Sequence, residues 1–197
     1  MSVALRAPFS VVLAVVALGG CRGTGPSFNN TDITGAEYGK DFTLTDHTGK
    51  MRTLTDFRGK VVVMFFGYTR CPDVCPTTLA ELKVAKDQLG EDGKKLQVLF
   101  VTVDPERDTR ALLAKYVPAF DPSFLGLYGD VAGTARVAKE FKVFYQKAPG
   151  KTPDAYTVDH TAGSYVFDPQ GRLRLFVRQG NVPNLVADLK TLLDAGG

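Results

Sequence analysis

Cys71 and Cys75, separated by three residues in the stretch FFGYTRCPDVCPTTLAEL, are the side chains of this sequence best equipped for chemistry. A thiol pair at that distance can close a disulfide, hold a metal ion, or alternate between the two. The common redox motif has only two residues between its cysteines, so the extra one needs a reason. In a helical segment, residues four apart share one face about 6 Å apart along the axis. That spacing suits the upper end of disulfide geometry and also lets both sulfurs converge on one ion. Soft thiolates favour Cu(I), zinc or iron–sulfur chemistry. Two cysteines do not close a tetrahedral zinc site, so a further ligand has to come from elsewhere.

The sequence holds two histidines. His47, in TDHTGK, falls inside a turn signal, where an exposed residue with a structural role is expected. His160, in VDHTAGSYVFD, stands just ahead of a strand-like run over residues 164–167. If that run neighbours the cysteine-bearing strand, the segment in front of it reaches toward the cysteines. Placement alone leaves metal ligand and ordinary loop histidine equally open.

The scaffold can be read from hydrophobic patterning. Residues 61–66, VVVMFF, form the continuous apolar run of a strand buried on both faces. A helix is expected from about Pro76 to Gly90, with Thr78 and Glu81 at capping-box spacing. Residues 96–103 read as a second buried strand, residues 108–117 as a helix stopped by Pro118, FLGLYG as a short strand or loop, and residues 131–141 as a helix. Residues 147–158 read as a polar, proline-containing loop. Two strands joined by an Asp-Pro-Gln-Gly turn follow in SYVFDPQGRLRLFVRQ, then a last helix over residues 183–195. At the front, residues 41–60 alternate around a His-Thr-Gly turn like a hairpin. This order predicts an α/β, thioredoxin-like mixed sheet flanked by helices, with an N-terminal β-hairpin extension and an inserted loop.

Reactive groups of such sheets collect outside the carboxyl ends of the strands. Cys71 and Cys75 fall there, at the start of a helix whose N-terminus should lower a thiol pKa. Buried structural cysteines are the plainer alternative. Pro72 and Pro76, with Arg70 and Asp73 between and beside the thiols, argue for a loop instead.

The N-terminus bears on compartment. Arg6 precedes the apolar run FSVVLAVVALGG, which is too short for a bilayer-spanning helix of roughly 20 residues and has the layout of a secretory signal peptide. LGGC, ending at Cys21, resembles the lipobox of bacterial lipoproteins, in which the cysteine becomes the lipidated N-terminus. Lipidation of Cys21 accounts for the odd count of three cysteines and leaves Cys71 and Cys75 as a pair. The expected organisation is a signal peptide over residues 1–21, a flexible tether over 22–34, and one domain over 35–197. Localisation follows as export, with lipid anchoring to a bacterial membrane and the domain in the periplasm. Without residues 1–21, which include Arg6 and no acid, the 24 basic and 21 acidic residues become 23 and 21, a net charge of +2. Near-neutrality without charge runs argues against nucleic acid as a partner.

DFTLTDHTGK, FFGYTRCPDVCPTTLAEL, VTVDPERDT and DHTAGSYVFDPQGRLR together closely resemble the Sco/SenC family of copper-binding, thioredoxin-like proteins, over residues 27–193. The resemblance places Cys71, Cys75 and His160 on the family's copper ligands. It implies a metallochaperone, one copper per monomer as Cu(I) or Cu(II), assisting assembly of the binuclear copper site of cytochrome c oxidase. The implied partner is the copper-bearing oxidase subunit or another copper protein, met by a monomer. Family members are often held by a transmembrane helix, which a lipid anchor would replace here. Thioredoxin-type reductases carry a cis-proline facing their cysteines, whereas residues 157–168 hold no proline but Pro169 follows them. Asp73 and Asp159 are candidates to orient His160 from outside the ligand set. The alternative is a thiol–disulfide reductase that uses Cys71 and Cys75 as a redox-active pair to reduce the acceptor's cysteines, without obligatory copper transfer. A peroxiredoxin-type peroxidase fits less well, since Tyr68 stands where that chemistry uses a threonine and no proline lies between Lys60 and Cys71.

Overall fold

The computed structural model describes residue 1, residues 25–152 and residues 155–196. The expected signal peptide, apart from residue 1, and the lipobox Cys21 lie outside the described residues. Ten strands and four α-helices follow one another along the described chain. Eight strands make one mixed sheet in the order β1-β10-β9-β4-β5-β6-β2-β3.

Its centre is β4 (Val61–Gly67), parallel to β5 (Leu96–Thr102) and antiparallel to β9 (Ser164–Phe167). Every residue of β4 and β5 is buried, as continuous apolar runs demand of strands covered on both faces. β6 (Leu125–Tyr128) extends the parallel part, and β2 (Leu44–Asp46) with β3 (Met51–Arg52) forms the expected front hairpin at that edge. On the other side, β10 (Leu173–Val177) pairs with β9. α1 (Val74–Gln88) crosses from β4 to β5 and lies against α4 (Val182–Asp194), while α2 (Arg110–Tyr116) packs on β6. α3 (Val131–Glu140) is opened by Asp130, whose side chain accepts from Gly133 N. The architecture is thioredoxin-like.

Aromatic rings fill the interior. Phe66 meets Phe141 at 5.4 Å and Phe141 meets Tyr165 at 5.4 Å between centroids, the latter edge-on. Phe65, Phe66, Phe100, Phe141 and Phe167 are fully buried, each side chain contributing about 1.5–3 kcal/mol of apolar transfer.

Three expectations need correction. The first is the tether, since the chain is already docked at Asn29. Buried Asp188 on α4 accepts from N and Nδ2 of both Asn29 and Asn30, and β1 (Thr31–Asp32) then pairs with β10. Glycine and asparagine read as linker composition, but the asparagines here are donors to a buried carboxylate. The second is the start of α1, which begins two residues ahead of Pro76; Thr78 Oγ1 donates to Val74 O inside the helix rather than capping it. The third is the loop over residues 147–158, whose two ends are strands of a hairpin, β7 (Tyr145–Ala148) and β8 (Thr157–His160). Only Val158 is buried on those two strands, too little apolar alternation to announce them.

Candidate metal centre

The cluster is assembled from two places in the fold. β4 ends at Gly67 and the chain turns, with Cys71 N donating to Tyr68 O at 3.2 Å, before α1 begins. Cys71 therefore sits in the turn and Cys75 in the first turn of the helix. The four-residue helical face inferred from spacing does not bring the sulfurs together; the turn does. Cys75 N donates to Cys71 Sγ at 3.4 Å, and both cysteines are free thiols. Cys71 is half-buried and Cys75 fully buried.

His160 arrives from the other side, as the last residue of β8 rather than from a loop. Its Nε2 stands 3.5 Å from Cys75 Sγ, and the ligand atoms of Cys71, Cys75 and His160 all lie within 4.8 Å of one another. Among the described residues this is the one such cluster. His160 Nδ1 lies 3.1 Å from Thr161 O. A carbonyl only accepts, so Nδ1 carries the proton and Nε2 keeps its lone pair toward the sulfurs. The ring is held edge-on by Phe65 and Tyr68, at 6.1 and 6.0 Å between centroids.

Burial governs protonation. Desolvation pushes the His160 pKa below its ordinary value, against the Thr161 hydrogen bond and the charge of Asp159, so the imidazole is neutral at neutral pH. Desolvation also pushes the Cys75 thiol well above its ordinary value. The expectation that the helix N-terminus lowers the thiol pKa therefore fails for Cys75. A partial charge at a helix end is worth about 0.3–1 kcal/mol at the surface, less than the cost of taking a bare thiolate out of water.

Asp73 and Asp159 are both exposed and neither hydrogen-bonds to His160. Asp73 instead receives the Thr77 hydroxyl on its carbonyl at 2.9 Å. Thr161 O takes the orienting role expected of them, a backbone group that residue type cannot flag. His47 is structural but not exposed: half-buried, it accepts Gly126 N on Nδ1 at 3.0 Å. Gly67 was not anticipated as part of the site, yet a Cβ there would stand 2.8 Å from Cys75 Sγ. Asp108 was missed too; it accepts from Thr69 N and Oγ1, two residues ahead of Cys71.

Two soft sulfurs and one imidazole nitrogen suit a soft, low-coordinate ion better than a closed tetrahedral one. The comparisons with known proteins agree in kind. Residues 30–194 match the SCO1/SenC family model. The mitochondrial SCO2 homologue of Bos taurus is 44% identical over 133 residues, 66% of this chain and 50% of that protein. The human mitochondrial SCO1 homologue is 38% identical over 135 residues, 68% of this chain and 45% of that protein. The chain thus spans about half the length of these curated relatives. Among solved structures, ScoI of Bradyrhizobium japonicum with copper bound superposes with a TM-score of 0.72 at 42% identity, covering 80% of this chain and 99% of that one. Apo Sco1 of Thermus thermophilus gives 0.75 at 42% identity, covering 86% and 99%. Since the family match runs from the docked Asn30 through α4 and spans all three clustered side chains, the chain belongs to the SCO1/SenC family.

Proposed function

We propose that this chain binds one copper ion through Cys71, Cys75 and His160 and hands it on, as a metallochaperone for the binuclear copper site of cytochrome c oxidase. The observation that carries this reading is the convergence of two sulfurs and one imidazole nitrogen within 4.8 Å. Copper is the cargo, and an open three-ligand set can release it to a richer one. Copper-bound ScoI of Bradyrhizobium japonicum supports the choice of metal. Under the same proposal the domain faces the periplasm, held by lipid on Cys21, and works as a monomer beside the oxidase subunit that bears the copper site.

The test is an anaerobic copper titration of the reduced and the disulfide-oxidised protein, paired with oxidase activity in cells lacking the protein. The reading predicts one equivalent bound when reduced, none when oxidised, and an oxidase deficit that copper supplementation relieves. Equal copper retention by the oxidised protein would remove the cysteines from the site.

A second reading rests on the two adjacent free thiols. Cys71 and Cys75 closing a disulfide would give two electrons and two protons to a disulfide of the acceptor site. That reduction needs no His160. An oxidase deficit rescued equally well by His160→Ala would favour it.

A further inference from the structure

Residues 103–109, the loop from β5 into α2, carry the DPERDT sequence and grip both halves of the metal cluster. On the cysteine side, buried Asp108 accepts from Thr69 N at 3.0 Å, from Thr69 Oγ1 at 2.5 Å and from Thr102 Oγ1 at 2.6 Å. On the histidine side, buried Asp104 accepts from Tyr156 Oη at 2.7 Å and from Arg107 Nε. Arg107 Nη1 donates to Tyr156 O at 2.8 Å, and its guanidinium carbon lies 3.4 Å from the Tyr156 ring centroid. Tyr156 immediately precedes β8, which ends at His160.

The hairpin of β7 and β8 is a separate two-stranded sheet, outside the hydrogen-bonded ladder of the eight-stranded one. An isolated hairpin is marginal in water, so what ties this one to the body decides where His160 sits. We propose that Asp104, Arg107 and Tyr156 form a clasp that positions the His160 hairpin against the same loop that holds the cysteine turn, thereby sustaining the affinity of the site for Cu(II). The inference rests on the copper reading above.

The energetics favour a clasp over incidental contact. The Asp104 side chain is fully buried and that of Arg107 is 10% exposed, so removing one partner strands a charge away from water. The additional Lys147–Glu106 pair between hairpin and loop is half-exposed on both sides and adds little. A released hairpin would hold His160 beside the sulfurs for only part of the time, and affinity falls by that fraction. Cu(I) is served by two thiolates, whereas Cu(II) needs the imidazole and more ligands. Release should therefore act on one oxidation state and spare the other.

The test uses Tyr156→Phe, which removes the hydroxyl bond to Asp104, and Arg107→Ala, which removes the guanidinium contacts to Asp104, to Tyr156 O and to the Tyr156 ring, each alone and combined with His160→Ala. Backbone hydrogen exchange of the copper-free protein is expected to quicken across residues 145–161 and stay unchanged in β4 and α1. Competition titrations are expected to show Cu(II) affinity reduced about 10–100-fold in Arg107→Ala, the usual range for partners behind a ligand, with Cu(I) affinity little altered. In the His160→Ala background the clasp variants should cost nothing further for Cu(II), since the effect runs through that side chain. Wild-type exchange and Cu(II) affinity in both variants would overturn the proposal. So would an equal further loss in the His160→Ala background, or equal weakening of Cu(I) with faster exchange in α1. A wild-type protein that bound no copper would sink the copper reading instead, while the exchange measurement would still decide whether the clasp holds the hairpin.

Discussion

Gly67 leaves room for Cys75: a Cβ at residue 67 would stand 2.8 Å from the Cys75 sulfur, and 2.9 Å from ring atoms of both Phe65 and Phe100. All three neighbours are fully buried, so none can swing into solvent to relieve the contact. Gly67→Ala is expected to cost about 1–3 kcal/mol of stability, the usual range for overpacking a filled core. It should also push the sulfur from its place and weaken copper binding in both oxidation states. Chemical denaturation and the two competition titrations read these effects. A variant with wild-type stability and wild-type affinity would mean that the pocket beneath the sulfur is softer than the packing indicates.

His160→Ala separates the two readings of the site. It removes the one nitrogen of the proposed ligand set and leaves two sulfurs, enough for Cu(I) but poor for Cu(II), which favours imidazole and a tetragonal arrangement. Cu(II) affinity should fall much more than Cu(I) affinity, with a changed charge-transfer spectrum. The Cys71–Cys75 pair should still oxidise and reduce. Unchanged Cu(II) affinity with normal oxidase activity would reject His160 as a ligand and leave the reductase as the better account.

The central sheet and the cysteine pair could be read from the sequence because they rest on local signals, whereas placement left His160 open and only the family resemblance joined it to the thiols. VVVMFF announces a doubly buried strand, and a paired CxxxC announces thiol chemistry. The features that escaped depend on contacts remote in sequence. Tyr156 and Asp104 are 52 residues apart, and Thr69 and Asp108 are 39 apart; no spacing rule joins such pairs. The Thr161 carbonyl escaped because every residue has one. The reversal of the Cys75 pKa escaped because helix position is visible in sequence while complete burial of one particular sulfur is not.

Asp188 is the anchor of the N-terminal segment. Its two oxygens accept four hydrogen bonds from Asn29 and Asn30, at 2.7–2.9 Å, from inside α4. Asp188→Ala should cost about 2–3 kcal/mol, the scale of a lost charge-assisted hydrogen bond. It should also release β1 from the sheet edge, so that limited proteolysis cuts ahead of Ile33 far faster than in the wild type. Asp188→Asn keeps the shape and part of the accepting capacity and should lie between the two. Equal proteolysis of all three proteins would show that β1 is held by its ladder to β10 alone.

The last prediction concerns protons. Burial raises the Cys75 pKa above its ordinary value of 9.0, so the copper-free thiol is protonated throughout the neutral range. Copper binds thiolate and must displace that proton, so apparent affinity should climb about tenfold per pH unit between pH 7 and 8.5 from Cys75 alone. His160 adds nothing over that interval, because burial lowers its pKa below 6.5 and the imidazole is already neutral. Stability of the copper-free fold follows the same sign. The unfolded chain ionises Cys75 at lower pH than the folded one, so the folded state binds more protons and stability falls as pH rises through about 9. Cys75→Ser should remove that loss, since serine does not ionise there. Proton release on copper addition, measured in weak buffer at pH 7.5, and unfolding midpoints at pH 7 and 10 check both halves. Affinity that stayed flat from pH 7 to 8.5, with no protons released, would mean that Cys75 reaches the metal already as a thiolate.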